Sequence, residues 1–245
     1  MPRADFRTPR LYVDAALTSG GTVSLSPEQG NYLGNVLRLK SGDKVLVFNG
    51  RDGEWRGAIA GRKRPAHLTV EAQTRPQEDP TRVRYAFAPL KHARLDYMVQ
   101  KAVEMGASAL CPVLTQHTQV SRVNLERMRA NVIEAAEQCG ILSVATVEEP
   151  LSLERFLQAR EADRLLVFCD EDAEVQNAVA ALEAVRDQAA GGIDVLIGPE
   201  GGFAEHERAL LTRQLHVVRL SLGHRILRAD TAAVAALALV QTVLG

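Results

Sequence analysis

Two short glycine-bearing stretches near the C-terminus hold the residues best suited to chemistry. The first is Gly198-Pro199-Glu200-Gly201-Gly202; the second runs Leu220-Ser221-Leu222-Gly223-His224-Arg225-Ile226-Leu227-Arg228-Ala229-Asp230. Glycines let a flat or compact ligand approach the main chain closely. Arg225 and Arg228, beside the second glycine turn, could meet a substrate that carries or develops negative charge. Neither stretch is a Walker A loop, which needs a Lys and a hydroxyl, and GxGxxG is absent. A tight strand-to-helix turn without a ligand, and solvated arginines near a helix start, are the bland alternatives.

Both stretches sit where an α/β protein would place a site. Asp194–Ile197 reads as a buried strand, Ala204–Leu215 as a helix with Glu205 and Glu207 in its first turn, Val217–Leu220 as a second strand, and Thr231–Leu244 as a helix apolar on every side. Two glycine loops that follow two strands consecutive in sequence can lie side by side at the strands' carboxyl ends, the edge where open α/β sheets bind ligands. Upstream the alternation continues. Strands are expected at 84–88, 108–113 and 165–168, and helices at 95–105, 125–138, 153–160 and 173–188. Residues 7–75 instead read as all-β, with strands at 45–48, 55–60 and 67–71 and turn residues at 49–53, a pattern that suits a small barrel. Residues 76–81 (PQEDPT) read as a linker.

IGPEGGF followed by LSLGHRILRADTAAVAAL resembles the C-terminal signature of the RsmE family, the 16S ribosomal RNA uracil-N3 methyltransferases of the SPOUT superfamily. PRLYV, YLGNVLRLKSGDKVLVFNG, KHARLDYMVQKAVEMGASALCPVLT and EAAEQCG match further blocks of that family in order, so the resemblance spans nearly the whole chain. The chain departs from the pattern at residues 141–145, where an arginine and a proline are usual, at His224, where a proline is frequent, and at Ala229-Asp230 in place of Thr-Glu.

The resemblance implies an α/β fold with a C-terminal SPOUT trefoil-knot domain over residues 82–245 and a PUA-like β-barrel over residues 1–75. Strand alternation alone does not imply a knot, and ordinary topology disfavours one. It implies S-adenosyl-L-methionine as cofactor, held by Gly198, Pro199, Glu200, Gly201, Gly202, Leu220, Gly223, Ile226 and Leu227. The implied reaction is methylation of uridine N3 in 16S ribosomal RNA of the small subunit, with Arg228 stabilising the developing uracil anion at a carbonyl oxygen. Glu200 and Asp230 are possible bases; Asp230 also sits where a helix N-cap belongs. Arg10, Arg38, Lys91 and Arg94 fall on family-matching positions and are the RNA-contact candidates, and SPOUT proteins usually form homodimers through the last helix. A non-catalytic RNA-binding module, a SPOUT methyltransferase acting on another RNA, and an unrelated α/β enzyme remain as alternatives.

Composition agrees with a globular protein. Of 245 residues 46% are hydrophobic and 24% charged, and the net charge is -1. Residues 1–80 carry 12 Lys/Arg against 9 Asp/Glu, so the first third is mildly basic. Arg7, Arg10, Arg38, Lys40, Arg51, Arg56, Arg62, Lys63 and Arg64 supply that charge. Cys111, Cys139 and Cys169 are far apart, and His92 and His117 are isolated, so neither a metal nor a disulfide is expected. Lys101 and Glu104, three apart on a helix, are expected to pair. Asp170-Glu171-Asp172 reads by itself as a solvated turn, while the resemblance implies that the loop after this strand forms one wall of the cofactor pocket. No signal peptide or membrane span is read, so a reduced cytoplasm is expected.

Overall fold

A computed structural model describes residues 5, 7–61, 65–120, 122–174 and 177–245. Arg62, Lys63 and Arg64 lie outside the described residues. The chain forms two compact units. One takes residues 1–79 together with 136–144, the other residues 80–135 together with 145–245.

The first unit contains strands β1 (Arg10–Tyr12), β2 (Thr22–Ser24), β3 (Lys44–Phe48), β4 (Glu54–Ala60) and β5 (His67–Arg75) in one sheet of order β1-β3-β4-β5-β2. β1 runs parallel to β3 and the other pairs are antiparallel. The β3–β4 turn is set by Asn49, whose side-chain oxygen accepts from the Arg51 and Asp52 amides at 2.9 Å each, with Gly50 and Gly53 both at φ 79. Val45 and Val47 point into a core with Leu11, Val13, Leu33, Ile59, Leu68 and Val70. The opposite face of β3 is buried as well, because Phe48 packs against Ala136 and Leu142, with Tyr12, Ile141 and Val144 around them. Ile141, Leu142 and Val144 therefore cover a face of this sheet.

This unit is not all-β. Helix α1 (Pro27–Asn31) starts on a capping box in which Ser26 and Gln29 exchange side-chain and backbone hydrogen bonds, and a π-helical turn, Tyr32–Val36, follows it.

The second unit is a parallel sheet with helices. Its elements are β6 (Val83–Phe87), α2 (His92–Glu104), β7 (Ala109–Leu114), α3 (Leu125–Cys139), β8 (Thr146–Val147), β9 (Leu151–Ser152), α4 (Leu153–Ala159), β10 (Leu165–Cys169), α5 (Ala178–Glu183), β11 (Ile193–Ile197), α6 (Glu205–Thr212), β12 (Val217–Leu220) and α7 (Ala229–Leu244). The last residues of α3 belong to the first unit. Strand order is β12-β10-β11-β6-β7-β8, every pair parallel, with β9 beside β7. β10 is an unbroken apolar run and β11 is apolar apart from Asp194, and both are buried along nearly their whole length, as in a sheet covered on both faces. On α2, Leu95, Met98, Val99, Ala102 and Val103 are buried at i, i+3, i+4, i+7 and i+8.

Two helices differ from the sequence expectation. Among the described residues of 173–188 only Ala178–Glu183 is α-helical, followed by a 3-10 turn at Arg186–Ala189. Asn177 starts this helix by accepting from the Val179 and Ala180 amides, so a local cap overrides helical composition upstream. α7 is not buried on every side. Ala229, Ala233, Ala236, Leu237, Val240 and Val243 are buried, while Val234, Ala235, Leu239 and Leu244 are half-buried and Ala238 is exposed.

At the amino end of this sheet, Asp194 on β11 is fully buried and gathers three guanidinium groups. Arg84 Nε lies at 2.7 Å, Arg164 Nε at 2.8 Å and Arg160 Nε at 3.3 Å. Burial pushes its carboxyl up, but the hydrogen bond from Arg84 and the Arg164 and Arg84 charges outweigh it and hold it below the ordinary value.

Candidate active site

Strands β12, β10 and β11 end side by side, with Cys169 in register with both Ile197 and Leu220. The three loops that leave them meet, as geometry at a parallel sheet's carboxyl edge demands. They enclose a cleft of about 320 Å³.

Of the residues expected to hold a cofactor, Gly198, Pro199, Glu200, Gly202, Leu220, Gly223, Ile226 and Leu227 line this cleft, and Arg228 lines it too. Gly201 does not. Its Cα faces His117, whose Cβ would stand 3.2 Å from an added Cβ. Gly202 has φ +66, a conformation that favours glycine, and a Cβ there would displace the Glu171 carboxylate from its present place. Ile226 is 97% exposed at the rim.

The glycine loop is held from behind by two residues that the sequence pointed to for other reasons or not at all. His117 Nδ1 lies 3.1 Å from the carbonyl oxygens of both Gly201 and Gly202, so that nitrogen carries the proton and donates. Glu207 is buried, and its carboxylate accepts from the Gln116 amide at 2.8 Å and the Ala204 amide at 2.9 Å. Glu207 does more than face the helix dipole, because it joins the start of α6 to the loop after β7. Its position in a helix first turn was the available signal; nothing in the sequence singled out His117 for this task.

Asp170 corrects the expectation of a solvated turn. It is buried, with Arg219 Nη2 at 2.8 Å and Arg208 Nε at 3.1 Å from Oδ2. Glu171 and Asp172 remain exposed near the same Arg208. Cys169 lines the cleft, but burial pushes its thiol up to about 12, and burial does the same to Cys111. Neither is a nucleophile at neutral pH.

Arg228 is exposed and is itself the N-cap of α7, with φ -66 and ψ 151. Asp230 therefore lies within the first turn, where its Oδ1 accepts from the Thr231 amide at 2.9 Å. Among the described residues neither Arg225 nor Arg228 forms an ion pair. A free guanidinium thus stands beside a helix N-terminus at the cleft, an arrangement suited to negative charge.

The RNA-contact candidates divide. Lys91 and Arg94 are exposed, with Arg94 Nη1 3.3 Å from Glu200 Oε1. Arg38 is exposed at φ 58, directly after the π-helical turn and Leu37. Arg10 is different. Its side chain is 4% exposed and its Nε lies 2.9 Å from Glu54 Oε2, whose side chain is 2% exposed. The expectation that Arg10 presents its charge to RNA is corrected, because the guanidinium is enclosed and matched within the first unit. Lys101 pairs with Glu104 at 2.7 Å. Among the described residues no cluster of three or more His, Cys, Asp or Glu is arranged to hold a metal ion, and no helix is long and apolar enough to cross a membrane.

A family model for an RNA methyltransferase domain matches residues 77–241, and one for an RNA methyltransferase PUA domain matches residues 25–71. The chain is 31% identical to the ribosomal RNA small subunit methyltransferase E of Synechocystis sp. over 96% of this chain and 78% of that protein. It is 29% identical to the enzyme of the same name from Rickettsia conorii, over 95% of this chain and 94% of that one. The crystal structure of a ribosomal RNA small subunit methyltransferase E from Neisseria gonorrhoeae bound to S-adenosyl methionine matches with a TM-score of 0.85 at 28% identity, covering 96% of this chain and 98% of that one. A Legionella pneumophila structure described as a putative methyltransferase in complex with SAM matches with a TM-score of 0.79 at 28% identity, with the same coverage. With both halves matched, and in order along one chain, this protein belongs to the ribosomal RNA small subunit methyltransferase E family.

Proposed function

We propose that this chain methylates N3 of a uridine in 16S ribosomal RNA, using S-adenosyl-L-methionine. The observation that carries the reading is the cleft at the ends of β10, β11 and β12, which sets glycine backbone and apolar side chains against an unpaired arginine at a helix N-terminus. Its volume falls within the range of small-molecule sites. Its walls offer few charges beyond Glu171, Glu200 and the arginines of the last loop. These residues fit the cofactor: Gly223 has open space where a Cβ would stand and leaves main chain open to adenine, and Leu220, Ile226 and Leu227 give apolar contact.

The bound cofactor would supply an electrophilic methyl group, so the protein needs neither a metal nor a covalent intermediate. The work left to this chain is alignment and exclusion of water. As the N3 proton passes to the Glu200 carboxylate at the cleft wall, charge moves onto the adjacent carbonyl oxygens of uracil. Arg228, with the amides at the start of α7, stabilises that charge. Arg228 cannot take the proton, because its guanidinium stays protonated. Arg38, Lys91 and Arg94 bind RNA phosphates.

Two further expectations join the proposal. The chain acts in the cytoplasm, where its substrate is assembled. It forms a homodimer that covers the partly exposed apolar face of α7, including Val234, Ala235, Ala238 and Leu239. Light scattering should give twice the 26.7 kDa chain mass; the chain mass itself would refute the dimer.

The primary test is transfer of labelled methyl from S-adenosylmethionine to 16S ribosomal RNA, with the modified base identified by nuclease digestion and mass spectrometry. Label in 3-methyluridine supports the proposal. Absence of transfer to naked RNA and to small subunits alike refutes it. Titration with the cofactor should show saturable binding that Ala232→Phe abolishes, because Ala232 lines the cleft.

A further inference from the structure

Three consecutive acids follow β10, and the structure treats them differently. Asp170 is matched by Arg219 and Arg208, and Asp172 by Arg208 Nη2 at 2.7 Å. Glu171 is left over. Arg208 Nη2 comes no nearer than 3.8 Å, and among the described residues its carboxylate accepts no hydrogen bond. Yet Glu171 lines the cleft, with its side chain 53% exposed. Gly202 gives it room, because any Cβ there would collide with the carboxylate. Burial and the like charges of Asp172 and Asp170 raise its carboxyl above the ordinary value, and Arg208 offsets this only in part. The cleft wall therefore holds a carboxylate with unused acceptor capacity, which a ligand's hydrogen-bond donors would stabilise.

Its place in the sheet suggests which donors. β10 lies beside and parallel to β11, with Cys169 opposite Ile197. β11 feeds the glycine loop and β10 feeds Glu171. In dinucleotide-binding folds an acid at the end of a strand in the same sheet as the glycine-loop strand takes the ribose hydroxyls. This chain has no GxGxxG, so the parallel is one of geometry alone. We propose that Glu171 accepts hydrogen bonds from the ribose hydroxyls of the adenosyl cofactor. The inference rests on the methyltransferase reading above and adds a side-chain contact to a site otherwise built of backbone and apolar groups.

The test is isothermal titration of the full chain with S-adenosylhomocysteine, which lacks the sulfonium charge, and with its 2′-deoxy and 3′-deoxy ribose analogues. Glu171→Ala should weaken S-adenosylhomocysteine about 10- to 100-fold, the range expected for hydrogen bonds to a charged group. At least one deoxy analogue should bind the unmodified protein correspondingly weakly and lose little more in Glu171→Ala. Glu171→Gln, which keeps an acceptor oxygen, should fall between. Thermal unfolding read alongside should stay at the wild-type midpoint, since Glu171 is half-exposed. Wild-type affinity in Glu171→Ala would overturn the inference. So would an equal loss for all three ligands, which would mean that Glu171 shapes the loop or faces the ligand's ammonium group. Failure of the unmodified protein to bind S-adenosylhomocysteine would overturn the methyltransferase reading itself.

Discussion

Arg94 Nη1 lies 3.3 Å from Glu200 Oε1, joining the first turn of α2 to the glycine loop after β11. Both side chains are 43% exposed, and a pair this open contributes about 0–1 kcal/mol. Stability therefore does not explain Arg94, and an exposed cation at the cleft's edge is well placed to trade a carboxylate for a phosphate. Arg94→Ala should change the unfolding free energy by less than about 1 kcal/mol. It should also weaken binding to a 16S ribosomal RNA fragment and lower the slope of log affinity against log salt by about one. An unchanged salt slope would remove Arg94 from the RNA surface.

Arg228 gives a sharper split. It caps α7 through its backbone, so its side chain is not needed for the cap. Arg228→Ala should leave cofactor affinity within about threefold, and reduce single-turnover methyl transfer by about 10²- to 10³-fold, the usual cost of one charge-stabilising donor. Arg228→Lys should recover part of the rate, because a cation returns without the planar fork. A matching loss of cofactor binding would reassign Arg228 from catalysis to the pocket.

The parts legible in the sequence were those in which local pattern and tertiary role agree. Val217–Leu220 and Leu165–Cys169 form strands because apolar runs of that length suit a covered parallel sheet, and the two glycine loops converge because their strands share β10 as a neighbour. The capping box at Ser26 and Gln29 was also written in the sequence, but it lies in a segment whose strand-like neighbours masked so short a helix. Other features depend on contacts far along the chain. Arg10 reads as a surface cation until Glu54 comes from 44 residues away. His117 acquires a role only when the glycine loop, 84 residues on, arrives beside it. Asp194 reads as an ordinary strand start, and no periodicity announces that three arginines meet it.

Arg10 yields a prediction in which binding and folding are easily confused. Its partner Glu54 also accepts from Thr74 Oγ1 at 2.9 Å and has Arg75 Nη1 at 3.8 Å. Removing Arg10 leaves a buried carboxylate short of its main partner, a change that typically costs about 3–5 kcal/mol. Arg10→Ala should therefore lower the first unit's stability in urea, and any loss of RNA affinity should follow the unfolded fraction. Unaltered stability with weakened RNA binding would restore Arg10 as a direct contact.

Asp194 ties stability to pH. Its folded carboxyl is held below the ordinary value of 3.8. A depressed folded value means that its contribution is fully present above the unfolded value and is lost as pH falls through the folded one. At pH 7 Asp194→Asn should lose about 3–5 kcal/mol, because Arg160, at 3% side-chain exposure, is left buried without a charge partner. The difference between the variant and the unmodified protein should persist at pH 5 and narrow as pH drops below about 4, where the unfolded chain's carboxyl takes up its proton while the native one is still ionised. Urea unfolding at pH 7, 5 and 3.5 measures this directly. A gap of constant size across the three pH values would mean that the network's worth lies in packing and hydrogen-bond geometry rather than in the charge on Asp194.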